Sequence, residues 1–146
     1  MKMEDKSFIE KHLQDIEITV NLLNEGIQDK KWDKYKTAGM GTFLANVCNG
    51  YENIFRTLLK IEGIEIPKGE DWHKNLIRTA KSRGLSPDEM SETLDGMLNF
   101  RHVQVHGYSH KLEEKKLRSY SLEVVQNHPA FEKHIQDIVK ERFLDT

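Results

Sequence analysis

Ser7-Phe8-Ile9-Glu10-Lys11-His12-Leu13-Gln14-Asp15-Ile16-Glu17-Ile18-Thr19-Val20-Asn21-Leu22-Leu23-Asn24-Glu25-Gly26-Ile27-Gln28 decides the fold class. Its apolar residues Ile9, Leu13, Ile16, Val20, Leu23 and Ile27 recur at alternating steps of four and three. That spacing gathers them into one stripe on a helix, because 3.6 residues complete a turn. The helix is predicted from about Ser7 to Gln28, and the charged run Asp29-Lys30-Lys31-Trp32-Asp33 interrupts it.

The same period continues down the chain. A second helix is predicted from Asp33 to about Glu62, with Met40, Leu44, Val47, Tyr51, Ile54 and Leu58 as its stripe. Gly39, Gly41 and Gly50 lie inside it, where each costs about 1 kcal/mol against Ala. They point either to close approach of another helix or to a local kink. Gly63 to Gly69 reads as a loop, and a short helix is predicted from Asp71 to Arg83, ended by Gly84. Ser86, Pro87 and Glu89 have the spacing of an N-cap, a first helical position and a capping box. The helix they start carries Met90, Leu94, Met97, Leu98, Arg101 and Val105 on one stripe. Two further helices are predicted, Leu112–Gln126 and Pro129–Phe143, with His128-Pro129 restarting the chain between them. No stretch alternates with period two. The expected fold is an all-α, up-and-down bundle of about five to six helices forming a single domain over residues 1–146.

Composition narrows the function classes. With 22 Lys and Arg against 24 Asp and Glu, the net charge is −2, so nucleic acid can be attracted only by a local basic patch. One Cys, Cys48, excludes an internal disulfide and reads as a buried structural thiol. The N-terminal residues lack an apolar targeting core, and nowhere do eighteen apolar residues run together. A cytoplasmic protein without a membrane anchor is expected.

The chemistry-bearing run is Phe100-Arg101-His102-Val103-Gln104-Val105-His106-Gly107-Tyr108. Arg101 and Tyr108 fall within about 20° of each other on a regular helix, whereas His106 stands about 140° from Arg101. A guanidinium on an apolar stripe is costly unless paired, so Arg101 must face a carboxylate such as Glu52 or Asp95, a neighbouring subunit or a cleft. His102, His106 and His110 share one helical spacing that permits a zinc site, but their ends lie about 12 Å apart and one straight helix does not easily bring them to one ion, so this is the weakest of the readings and no metal is expected. Of the other histidines, His12, His73, His128 and His134 are expected at the surface or its boundary, with a functional contact open for His73 beside Trp72. Basic residues concentrate in two places: Lys74, Arg78, Lys81 and Arg83, then Lys111, Lys115, Lys116 and Arg118. Lys74, Arg78, Lys81, Lys111 and Lys115 are the candidates for gripping RNA phosphates, although a cluster of this kind is more often just a solvated helix face.

The spacing from Arg101 through His106 to Tyr108 resembles the Arg-x4-His-x-Tyr signature of HEPN-domain toxins, the HepT-like ribonucleases. The likeness extends beyond it. Leu85-Ser86-Pro87-Asp88-Glu89-Met90 and Gly96-Met97-Leu98-Asn99-Phe100-Arg101 are similar to the family's approach to its motif helix. Asn49-Gly50-Tyr51-Glu52-Asn53-Ile54-Phe55 and Gly69-Glu70-Asp71-Trp72-His73-Lys74 resemble a HepT-like subgroup, and the likeness covers roughly residues 10 to 140. His102 stands where many members have Asn. The resemblance implies a helical bundle that forms a homodimer with the two motifs facing one another. It implies RNA cleavage needing neither metal nor cofactor, with Arg101 and His106 catalytic and His102 auxiliary. It also implies a nucleotidyltransferase antitoxin that adenylylates Tyr108. The rival expectation is a non-catalytic module binding a nucleotide or a partner protein through the same residues.

Overall fold

The structure, a computed structural model, describes residues 2–106 and 113–144, with 103–106 and 143–144 described as backbone. It is an all-α bundle: α1 (Met3–Gln28), α2 (Lys34–Ile61), α3 (Trp72–Ser82), α4 (Ser91–His106) and α5 (Glu114–Leu144), with one 3₁₀ turn at Asp88–Met90. The long helices α1, α2 and α5 pack on one another, α3 lies against α2 and α4, and α4 packs on α5. No helix among the described residues is long and apolar enough to cross a membrane.

The stripe of α1 is buried as its spacing requires: Ile9, Leu13, Ile16, Val20 and Leu23 all enter the core. The helix begins a turn earlier than its apolar pattern indicates, because Glu4 and Asp5 suit the positive end of a helix dipole without adding to the stripe. In α2 the Asp33 carboxylate caps the start, accepting from the Lys36 amide at 2.7 Å. Gly50 allows the close approach: a Cβ there would lie 2.5 Å from Ile16 Cγ1, so α1 and α2 meet backbone to side chain. Gly39 meets nothing within 4 Å and has no such role. Both α2 and α3 end alike. Gly63 (φ 77°) and Gly84 (φ 69°) take the left-handed conformation. The amides of Ile64 and Leu85 then reach back to the carbonyls of Leu59 and Ala80, each at 2.9 Å, closing Schellman motifs.

Two expected boundaries are corrected. The capping box at Ser86 does not start a helix. Pro87 is extended (ψ 147°), its carbonyl accepts from Met90 in a 3₁₀ turn, and α4 begins only at Ser91. Leu85, Ser86 and Met90 are all buried, and burying all three dictates the path of the segment. The predicted break at His128-Pro129 is absent, since α5 runs unbroken through Pro129. Proline inside a helix costs about 3 kcal/mol. Leu117, Ser121, Val124, His128, Phe131, Ile135 and Val139 nevertheless form one buried stripe spanning the proline, and burial of that continuous face outweighs the lost hydrogen bond.

His128, expected near the surface, is instead buried at 3 % exposure. Its Nδ1 shares a hydrogen bond with the Tyr51 hydroxyl at 2.8 Å, and burial keeps that phenol protonated. Burial also lowers the His128 pKa to about 4. The unfolded imidazole takes up its proton near 6.5, so acid favours the unfolded chain over the window between the two values. The stability due to neutral His128 is complete above pH 6.5 and disappears as pH falls towards 4. Stability measured by urea unfolding is expected to be about 2 kcal/mol lower at pH 5 than at pH 7.5 on this account. A His128→Gln variant should lose that part of the slope.

Candidate functional site

The site is assembled from three helices. Asn49 and Glu52, three residues apart, present side chains from one face of α2. His73 enters from the first turn of α3, and Asn99, Arg101 and His102 come from α4. Arg101 takes the carboxylate its position demands: Nη2 donates to Glu52 Oε1 at 2.5 Å and also to Asn49 Oδ1. The other oxygen of that carboxylate, Oε2, bonds to Nδ1 of His73. Glu52 is 6 % exposed, so it is a buried carboxylate whose two oxygens are divided between a guanidinium and an imidazole. Such a group is tolerated only because both oxygens are satisfied.

Neighbouring groups stiffen the cluster. The rings of Trp72 and His73 have centroids 3.6 Å apart, and the Arg56 guanidinium lies 4.8 Å from the Trp72 centroid. Cys48 lies beneath Arg101 and Glu52, buried, and burial pushes its thiol far above the ordinary range. It is the structural thiol expected, and its thiolate is not available at neutral pH.

Above the cluster opens a cleft of about 460 Å³, lined by Asp71, His73, Lys74, Asn99, Arg101 and His102 among others. Alongside the carboxylates of Glu70, Asp71 and Asp95, the arrangement offers a fixed guanidinium, two imidazoles and an ammonium to one solvent-accessible space. Those groups suit a phosphate ester: cations for its oxygens and imidazoles for proton transfer.

The predicted site residues are divided by this geometry. Arg101, His102 and Lys74 share the cleft. Lys81 is engaged with Asp95 at 2.6 Å, the carboxylate left over once Arg101 has chosen Glu52. Arg78 is exposed on α3 and Lys115 on α5, and neither lines the cleft. In the second basic cluster, Arg118 serves the fold: it bonds to Glu114 and to the Ile27 and Asp29 carbonyls and lies 4.1 Å from the Trp32 centroid. The backbone of α4 is helical through His106, but the side chain of His106, and Tyr108, His110 and Lys111 altogether, lie outside the described residues. Among the described residues no three His, Cys, Asp or Glu side chains gather to hold a metal ion.

Asn49 is the residue that pattern reading left out of the site, and Glu52 was named only as one of two carboxylates able to pair with Arg101. The signal was a carboxylate beside the α2 stripe, at Glu52 next to Tyr51, which becomes telling only when Arg101 requires a partner. His73 carried a weaker signal, a histidine beside tryptophan in the opening turn of a short helix.

A protein-family model described as HepT-like protein matches residues 39–141, while a search of curated proteins found no match. The matched span runs from within α2 to within α5 and includes Asn49, Glu52, His73 and Arg101. With more than half of its length so matched, this all-α chain with an arginine-centred cleft belongs to the HepT-like family.

Proposed function

We propose that the chain is a toxin of a toxin–antitoxin system, a metal-independent endoribonuclease acting as a homodimer in the cytoplasm. The observation that carries the reading is Arg101 fixed by Glu52 at the wall of an open cleft, within a HepT-like chain. Cleavage by the ribose 2′-hydroxyl needs a base for its proton and a cation for the phosphate oxygens. His106 is the base and Arg101 the cation. A guanidinium has five N–H donors, and one nitrogen of Arg101 serves Asn49 and Glu52, so donors remain for substrate. Positions 101 and 106 stand about 140° apart on a regular helix, which favours a site completed by a second copy across a dimer. Lys74 and His102 contribute to substrate binding at the cleft wall, and Lys81, Arg78, Lys111 and Lys115 are proposed as further contacts for RNA phosphates.

Neutralisation follows from adenylylation of Tyr108 by a nucleotidyltransferase antitoxin. On a regular helix Tyr108 falls within about 20° of Arg101, so an attached nucleotide would bring its phosphate towards that guanidinium and its bulk would block RNA. Purified protein incubated with RNA in a chelator should give fragments ending in 2′,3′-cyclic phosphate; RNA left intact would support the non-catalytic module instead. Coexpression with the antitoxin should add AMP masses to the wild-type chain. Tyr108→Phe should gain none, cleave RNA at the wild-type rate and resist inhibition by the antitoxin.

A further inference from the structure

We propose that His73 is the second proton-transfer residue of the cleft, the group that protonates the departing 5′ oxygen when RNA is cut. This rests on the ribonuclease reading above and adds to it a residue outside the Arg-x4-His-x-Tyr run. Cleavage requires two proton movements. The 2′-hydroxyl gives its proton to His106 as the bond from O2′ to phosphorus forms. The bond from phosphorus to O5′ breaks, and its electron pair needs a proton because an alkoxide is a poor leaving group. Cyclic phosphate and 5′-hydroxyl result, and the two histidines exchange protons with water to reset.

His73 is built for the second transfer. Its Nδ1 is bonded to Glu52 Oε2, so the proton on that nitrogen is committed to the carboxylate and the one available for exchange is on Nε2. The ring lines the cleft with its side chain 26 % exposed, while the Trp72 ring, tilted 32° to it with centroids 3.6 Å apart, limits its rotation. The same carboxylate anchors Arg101, so one buried group sets the proton donor and the phosphate-holding cation at a fixed separation within one copy of the chain. A buried acid orienting an imidazole through Nδ1 is a recurrent arrangement of proton-transfer sites. The other described histidines outside α4 are committed elsewhere: His12 packs on Phe8, His128 is buried with Tyr51, and His134 bonds to the Gly84 carbonyl at 2.7 Å. His102 shares the cleft and is the competitor for the role.

The test uses two RNA oligomers, one natural and one with sulfur replacing the bridging 5′ oxygen at the bond that the wild-type protein cuts. A thiolate leaves without being protonated. His73→Ala should cut the natural oligomer about 100- to 1,000-fold more slowly than wild type and the sulfur oligomer within a few-fold of it. His73→Asn should do the same; its amide can replace Nδ1 towards Glu52 but has nothing at the Nε2 position, so it separates lost chemistry from a disturbed fold. His106→Ala should be slow on both. Wild-type rates for both His73 variants on natural RNA, equal losses on the two oligomers, or sulfur rescue of His102→Ala in their place would overturn the assignment to His73. A wild-type protein that leaves both oligomers intact counts against the ribonuclease reading itself.

Discussion

Replacing Glu52 with Ala is expected to cost about 3 kcal/mol of stability, a fall in melting temperature of roughly 10 °C, together with most of the activity. Two hydrogen bonds vanish at once, and Arg101 and His73 are left facing a cavity where a buried carboxylate stood. Removing one member of a buried ion pair is costly because the survivor stays desolvated and unpaired. The Arg101 side chain is 18 % exposed, so water relieves part of that penalty and the loss falls at the lower end of the usual range. Glu52→Gln should lose less stability, since its amide oxygen still accepts from Arg101. It cannot satisfy His73 as a carboxylate does, so its cleavage rate should fall further than its stability suggests. Urea unfolding and single-turnover cleavage of the same preparations separate the two effects.

Arg101→Ala and His106→Ala carry the largest expected losses of activity. Without the guanidinium, the charge developing on the phosphate has no fixed cation, which costs about 10²- to 10³-fold in rate. Loss of the base costs about 10²- to 10⁴-fold. Combined, the two should lose far less than the product, because groups acting on one transition state are not additive. Arg101→Lys should not restore the rate. A single ammonium cannot bond to Asn49, Glu52 and a phosphate with the planar geometry of a guanidinium. Rates measured under single-turnover conditions, with unfolding curves alongside, decide each case.

Much of the architecture was legible in helical periodicity. The stripe from Ile9 to Leu23 is buried as written, Asp33 caps α2, and Gly63 and Gly84 end their helices in the left-handed conformation. Local rules failed where packing competes with them. Pro129 is locally a helix breaker, yet it lies on the exposed side of α5, and the helix's buried stripe continues before and after it in sequence. Ser86 and Glu89 have capping spacing, yet Pro87 stays extended while its buried neighbours enter the core. His128 is polar, but only its distant partner Tyr51, 77 residues away, explains its burial.

The candidate site was legible from one side only. Arg101 announced itself because a guanidinium on an apolar stripe requires a partner, and Glu52 was one of two carboxylates suggested by the pattern. Nothing in the spacing of α3 shows that His73 shares that carboxylate, because the contact depends on how three helices dock. The basic residues were the least readable. Charge alone does not separate Lys74 in the cleft from Arg118, which braces the turn after α1.

The Glu52 cluster also bears on biosynthesis. Its contacts span 21 residues to His73 and 49 to Arg101, and α5, which packs on α1, α2 and α4, comes later still. No growing chain that stops short of Arg101 can hold the arginine in place, however well its first helices form. Contacts so distant in sequence form late. A ribosome translating this message therefore carries a nascent product without an assembled cleft until synthesis has passed Arg101 and the residues of α5 have followed it.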